Sequence, residues 1–130
     1  MAEMSNYLEN ALLNATLNAT TYTAPATVYV SLWTTDPTDA GSGTEVSGGS
    51  YARTAVSFAT ASGTSGNVLN DADVTFPTAT TSWGTIGWIG INDNSTGGNL
   101  LYHTALDTAK TIDTGDVFKI STGNLSVTLA

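Results

Sequence analysis

The 130-residue sequence contains no cysteine. That single absence removes disulfides, thiolate zinc sites and a cysteine nucleophile. Basic residues are nearly as scarce. Three Lys+Arg stand against eleven Asp+Glu, for a net charge of −8 at pH 7. The three are Arg53, Lys110 and Lys119, scattered along an acidic chain. Binding a phosphate backbone needs clustered Lys/Arg. Nucleic acid is therefore excluded as a partner, and so is electrostatic attachment to an anionic membrane. No apolar run approaches the roughly 18 residues of a membrane-spanning helix. The N-terminus has no basic stretch leading into an apolar one, so no secretory signal is expected. The reading is of a soluble protein made in a cytoplasm.

Charged residues make up only 11% of the chain, against about 25% in an ordinary domain. Polarity comes instead from Thr, Ser, Asn and Gly. With 41% hydrophobic residues, the composition lies outside the disordered class. At about 150 residues per domain, one domain spanning 1–130 is expected. A chain of this size buries about 65–70% of its unfolded surface, enough for one core without staples.

Residues 5–18 are the one good helix candidate. Ser5 can cap it, and Glu9 lies near the positive end of the dipole. Met4, Leu8, Ala11, Leu12 and Ala15 follow i, i+3, i+4 spacing, with Leu17 extending the stripe. Pro25 then restricts Ala24 to an extended conformation. From about 27 to 129 the chain reads as strands and turns. Thr27–Trp33 alternates, with Val28, Val30 and Leu32 on one face and Tyr29, Ser31 and Trp33 on the other. Large residues on both faces predict a strand covered on both sides. Thr34–Ser50 is a long acidic, Gly-rich loop whose only aliphatic residue larger than Ala is Val46, so little contribution to the core is expected from it. Further strands are predicted at Tyr51–Ala59, Val74–Phe76, Thr85–Ile91 and Leu100–Ala105, with Ala61–Asn70 as a loop. The last two of these strands flank the turn-rich Asn92–Asn99 and should pair as a hairpin. Val117–Ile120 and Leu125–Leu129 flank Ser121-Thr122-Gly123-Asn124 and read as a second hairpin. The predicted fold is mainly β: an antiparallel β-sandwich or barrel, jelly-roll-like, with one N-terminal helix.

No constellation of catalytic residues stands out. The only histidine, His103, lies in a predicted strand, and no Gly-x-Ser-x-Gly elbow presents a nucleophile. Asn92, Asn94, Thr96 and Gly97 loosely imitate a calcium loop, but its twelfth position holds His103 instead of Glu. Asp71 with Asp73, and Asp36 with Asp39, are weaker cation candidates. Gly41-Ser42-Gly43 and Gly48-Gly49 lack the lysine of a phosphate loop. Asn-x-Ser/Thr triplets at Asn14, Asn18, Asn94 and Asn124 follow from composition. Tyr29, Trp33, Tyr51, Trp83 and Trp88 suit core or interface packing better than a sugar platform. The expectation is a protein that is not an enzyme, with no catalytic residue, cofactor or metal.

Longer stretches are more specific. They are Ser5–Asn14, Thr27–Asp39, Glu45-Val46-Ser47-Gly48-Gly49-Ser50-Tyr51-Ala52-Arg53, Val74-Thr75-Phe76-Pro77 and Gly98–His103. Together they resemble a family of small virion proteins of tailed bacteriophages, labelled tail-fibre proteins and similar to capsid decoration (cement) proteins. The resemblance implies a non-enzymatic structural role in a virion, made in the bacterial host. It implies a homo-oligomer, with a trimer favoured, and the major capsid protein or a tail protein of the same phage as partner. Fibre shafts need long repeats or coiled coils, and neither occurs here. The expectation therefore leans to capsid decoration, with a tail-fibre or tail-tip protein that binds the host surface as the alternative. The expected attachment residues are Leu8, Leu12 and Leu17 on the helix, Trp33 on its strand, Asp36, Asp39 and Glu45 in the acidic loop, and Arg53. In so acidic a chain, Arg53 is the best candidate for a specific ion pair.

Overall fold

The computed structural model describes residues 2–129. Its elements in chain order are β1 (Glu3–Met4), α1 (Asn6–Leu17), β2 (Val28–Trp33), β3 (Thr54–Val56), β4 (Asn67–Leu69), β5 (Val74–Thr75), β6 (Gly84–Asn92), β7 (Leu100–Ile112), β8 (Lys119–Ile120) and β9 (Ser126–Thr128). Five strands form one antiparallel sheet in the order β1-β7-β6-β2-β3. Two short antiparallel ribbons, β4-β9 and β5-β8, contribute to the same core. The architecture is mainly β and sandwich-like, with one N-terminal helix and no closed barrel among the described residues. No helix among them is long and apolar enough to cross a membrane.

The main core follows the alternation of β2. Val30 and Leu32 meet Ile89 and Ile91 of β6 on one face of the sheet. Val74, Phe76, Phe118, Ile120, Leu125 and Val127 close over them from the ribbons. Phe76 packs edge-on against Phe118 at 5.6 Å and lies parallel to Tyr51 at 6.2 Å. The opposite face of β2 is covered too, as its large residues predicted. Ser31 and Trp33 are buried there. Trp33 Nε1 donates to Ser31 Oγ at 2.8 Å, and Ser31 Oγ donates to Asn92 Oδ1 at 2.6 Å. Gly90 lies beneath this chain. A Cβ added to it would come within 2.7 Å of Ser31 Oγ and 2.9 Å of the Trp33 indole nitrogen. The glycine is needed for close approach.

The helix and the first hairpin form as the residues suggest. Ser5 caps α1, accepting from the Leu8 N–H at 3.2 Å. β6 and β7 pair across the turn 93–99, where the Asp93 carboxylate accepts from Asn99 N–H at 2.7 Å. The strands predicted at Thr27–Trp33, Val74–Phe76 and Thr85–Ile91 are present as β2, β5 and β6, and four other expectations need correction. β7 runs on to Ile112 instead of ending at Ala105, because Thr111 and Ile112 find pairing partners in Thr85 and Gly84. The predicted strand Tyr51–Ala59 shrinks to Thr54–Val56, its first residues being held by side-chain bonds instead. The predicted loop Ala61–Asn70 contains β4, and the N-terminus adds β1 to the sheet edge.

The second predicted hairpin does not form. Its turn exists, with Asn124 N–H donating to Ser121 O at 3.0 Å. The flanking strands diverge, however, β8 to β5 and β9 to β4. Asn70 takes the place of the missing cross-strand bonds. Its buried amide donates to Ser121 O at 3.1 Å and Ala72 O at 2.9 Å, and its Oδ1 accepts from Leu125 N–H at 2.9 Å. Replacing Asn70 by Ala leaves the buried Leu125 N–H and two part-buried carbonyls, of Ala72 and Ser121, without this partner. The variant should lose stability by roughly 1–3 kcal/mol or more, since each such group alone carries a cost of that order. Denaturant unfolding of the two proteins measures this directly.

Candidate functional site

The acidic loop 34–50 and the N-terminus of α1 meet over the second face of the five-stranded sheet. The loop is ordered by its own bonds. Asp36 Oδ1 accepts from Thr38 N–H at 2.9 Å, Pro37 O accepts from Ser42 N–H at 2.7 Å, and Thr35 Oγ1 accepts from Thr44 N–H at 2.7 Å. Pro37 is fully buried. Val46 also corrects the sequence reading: it donates its N–H to Leu32 O at 2.9 Å and its side chain joins the main core. One aliphatic residue is enough to anchor the loop because the backbone around it pairs with the end of β2.

The helix is fastened to the same region. Ser5 N–H donates to Leu101 O at 2.9 Å, and its hydroxyl donates to Leu100 O at 2.5 Å. Asn6 N–H donates to Asp39 O at 2.9 Å. The Asp39 side chain reaches His103 Nε2 at 2.8 Å, and Glu3 Oε2 lies 3.9 Å from the same nitrogen. Glu3, Asp39 and His103 stand close enough together to share a cation. In this structure the imidazole Nε2 is occupied by Asp39, and the two carboxylates face solvent.

Arg53 makes the expected ion pair. Its Nε and Nη2 donate to the two oxygens of Glu45 at 2.9 and 2.8 Å, a two-pronged contact. Nη1 donates to Asn94 O at 3.0 Å and Gly97 O at 2.8 Å in the β6–β7 turn. Tyr51 donates its hydroxyl to Glu45 Oε2 at 2.6 Å and accepts from Leu32 N–H at 3.0 Å. The sequence stretch leading to Arg53 thus builds a hub. Its tight turn needs Gly49, which has φ +59° and lies against Trp83, whose Nε1 donates to Gly49 O at 2.9 Å. Burial, then the bond to Glu45, pushes the Tyr51 phenol up from its ordinary value. The Glu45 carboxylate, as hydrogen-bond partner, raises the already high pKa of Arg53.

The expected attachment residues therefore separate. Leu8 and Trp33 are buried, Leu12 is half-buried, and Glu45 and Arg53 satisfy each other. Asp36, Asp39 and Leu17 face solvent, Leu17 at 75% exposure. The sequence reading missed Tyr7 and Leu13, which are also exposed. The signal was available: a stripe of Leu8, Ala11, Leu12 and Ala15 facing inward leaves Leu13 and Leu17 as an i, i+4 pair outside. The exposed groups are thus apolar on the helix and acidic on the loop.

The family model described as Podophage GP4 fiber I protein gp80 matches residues 3–128. No curated protein matches the chain.

Two outcomes test the hub. Replacing Arg53 by Ala strands a mostly buried carboxylate and two carbonyls, and should cost about 2–4 kcal/mol in denaturant unfolding. Lys at 53 should recover only part of this, because a point charge cannot make the fork. Tyr51 gives a pH signature. A folded pKa raised above the unfolded one stabilises fully below the unfolded value, roughly 10, and that stability is lost as pH rises past it. Wild type should lose about 1.4 kcal/mol per pH unit above that point for each such tyrosine. Tyr51→Phe should lower the slope by about one proton's worth in unfolding measured from pH 9 to 11.

Proposed function

The chain belongs to the podophage GP4 fiber I protein gp80 family and is thus a structural protein of a phage virion, and we propose that on the particle it acts as a non-enzymatic capsid decoration protein. In this reading it binds between major capsid protein subunits and strengthens the head. The observation that carries it is the surface where helix and acidic loop meet. Leu13 and Leu17 are exposed on the helix, whose first residue Asn6 is bonded to the loop at Asp39 O, and Asp36 and Asp39 face solvent on that loop. A rigid small domain with one apolar and acidic docking surface suits a clamp on a larger lattice. The absence of heptads and internal repeats fits poorly with a fibre shaft. A non-enzymatic role is supported by the burial of the single imidazole, whose side chain is 6% exposed.

A second reading is favoured by the family's own description as a fibre protein. Here the same domain is a short component of the tail fibre apparatus, mounted on another tail protein through the same surface.

Electron microscopy of virions carrying a labelled copy of the protein separates the two. Label at regular sites on the head is the expected result. Label confined to the tail would overturn the decoration reading and support the fibre one. The docking surface has its own test. Leu13→Asp with Leu17→Asp should leave the unfolding midpoint nearly unchanged, because both side chains are in water already. Binding to particles should fall at least tenfold, and raised salt should weaken wild-type binding by screening Asp36 and Asp39.

A further inference from the structure

The start of β7 brings one imidazole and several carboxylates together from distant parts of the chain. β1 and β7 pair Glu3 directly with His103, in a row that continues through Gly90 of β6 to Ser31 of β2. Cross-strand partners on one face lie within reach of each other. The acidic loop adds Asp39, whose backbone is fixed by the bond from Asn6 N–H to Asp39 O at 2.9 Å. Three segments thus supply one ring nitrogen and two carboxylate oxygens, all within 4.8 Å of one another. A cavity of about 250 Å³ lies against the ring and Glu3, lined also by Asp36 and Trp88.

Carboxylates on the surface of an acidic chain need no ligand to explain them. The imidazole is different. Its side chain is 6% exposed, while those of Asp39 and Glu3 are 49% and 73% exposed. A nitrogen donor therefore lies at the base of a cup of oxygens, with Nε2 turned outward to them. No lysine or arginine among the described residues lines the cavity or pairs with Glu3, Asp36 or Asp39. The spacing fits a small divalent ion. Ligand atoms at 2.0–2.1 Å from a tetrahedral zinc ion stand about 3.4 Å apart. Asp39 Oδ1 at 2.8 Å and Glu3 Oε2 at 3.9 Å from Nε2 bracket that separation. Small rotations of two solvent-facing side chains bring both oxygens to it. Nitrogen together with carboxylate oxygen suits zinc and its first-row neighbours. Magnesium and calcium prefer oxygen alone.

We propose that Glu3, Asp39 and His103 bind a divalent transition-metal ion, zinc in the first place, with water or Asp36 completing the sphere. The ion takes the Nε2 lone pair, and the imidazole proton moves to Nδ1. Binding ties the N-terminal strand and the acidic loop to β7, and bonds to the metal replace the single hydrogen bond between Asp39 and the ring. The inference concerns the purified protein and is independent of where on the virion it sits.

The test uses the full chain, purified without a histidine tag and stripped with EDTA. The chain has one histidine and no cysteine, so ligation by a side-chain imidazole or thiolate can come only from His103. Calorimetric titration with Zn²⁺ should show one site per chain, retained in about a hundredfold excess of Mg²⁺ or Ca²⁺. The ¹⁵N signal of the imidazole Nε2 should move in step with binding. The thermal midpoint should rise by about 5–10 °C at a hundredfold excess over Kd. Asp39→Asn and Glu3→Gln, both at solvent-facing positions, should each weaken binding by at least about tenfold, since even residues that only orient ligands are worth that much. His103→Gln should abolish it. Should that buried replacement fail to fold by circular dichroism, the two carboxylate variants decide the matter. Asp107→Asn, a carboxylate farther along β7, should change nothing. The proposal is overturned by the absence of a saturable site, by affinity unchanged in both carboxylate variants, by an imidazole signal that stays put, or by displacement with Mg²⁺, as a diffuse acidic patch would show.

Discussion

The fork between Arg53 and Glu45 ties together parts of the chain that otherwise have little reason to meet. One guanidinium holds the acidic loop through Glu45 and the β6–β7 turn through Asn94 and Gly97. Tyr51, two residues before it, links the same carboxylate to the backbone of Leu32 in the central strand. A loop of this length and glycine content carries a large ordering cost, about 1–2 kcal/mol of backbone entropy per residue. Charge-assisted bonds in a mostly dry setting are among the few interactions strong enough to offset it. The burial of Val46 and Pro37 then follows from where the loop is held.

The sheet between these attachments is covered differently on its two sides. One face packs aliphatic and aromatic residues in the usual way. The other carries a polar line, Trp33 to Ser31 to Asn92, buried with every bond accounted for. Such a line specifies position more than it adds stability. It packs Ser31, Trp33 and Leu100 over Gly90, where only a residue without a side chain fits. The rigid support beneath the exposed helix flank and the carboxylates of the loop comes from this second layer.

The two ends of β7 differ in charge as well as in position. The region around His103 has Glu3, Asp36 and Asp39, with no lysine beside them. The region around Lys110 holds both lysines, Lys119 paired with Asp73. One end is thus acidic and the other mixed in charge. That division suits a family of virion proteins, whose members work as parts of a particle.

Local pattern by itself determined a good deal. Periodicity and capping placed the helix, because Ser5 and the 3.6-residue stripe need only near neighbours. Alternation placed β2 and revealed that both its faces are covered. The turn residues 93–99 placed the first hairpin, and the scarcity of cations singled out Arg53. The second hairpin failed because a turn decides only that the chain bends. Which strands pair afterwards depended on Asn70, fifty residues away, whose amide replaces the ladder. The attachment residues divided for the same reason. Leu8 and Leu17 look alike in sequence, and only packing against β7 decided that one is buried and the other faces water. Glu45 and Asp39 are both loop carboxylates, but only the fold brought an arginine to one and a histidine to the other. Contacts between distant residues arise from the closing of the whole core, and no local pattern encodes them.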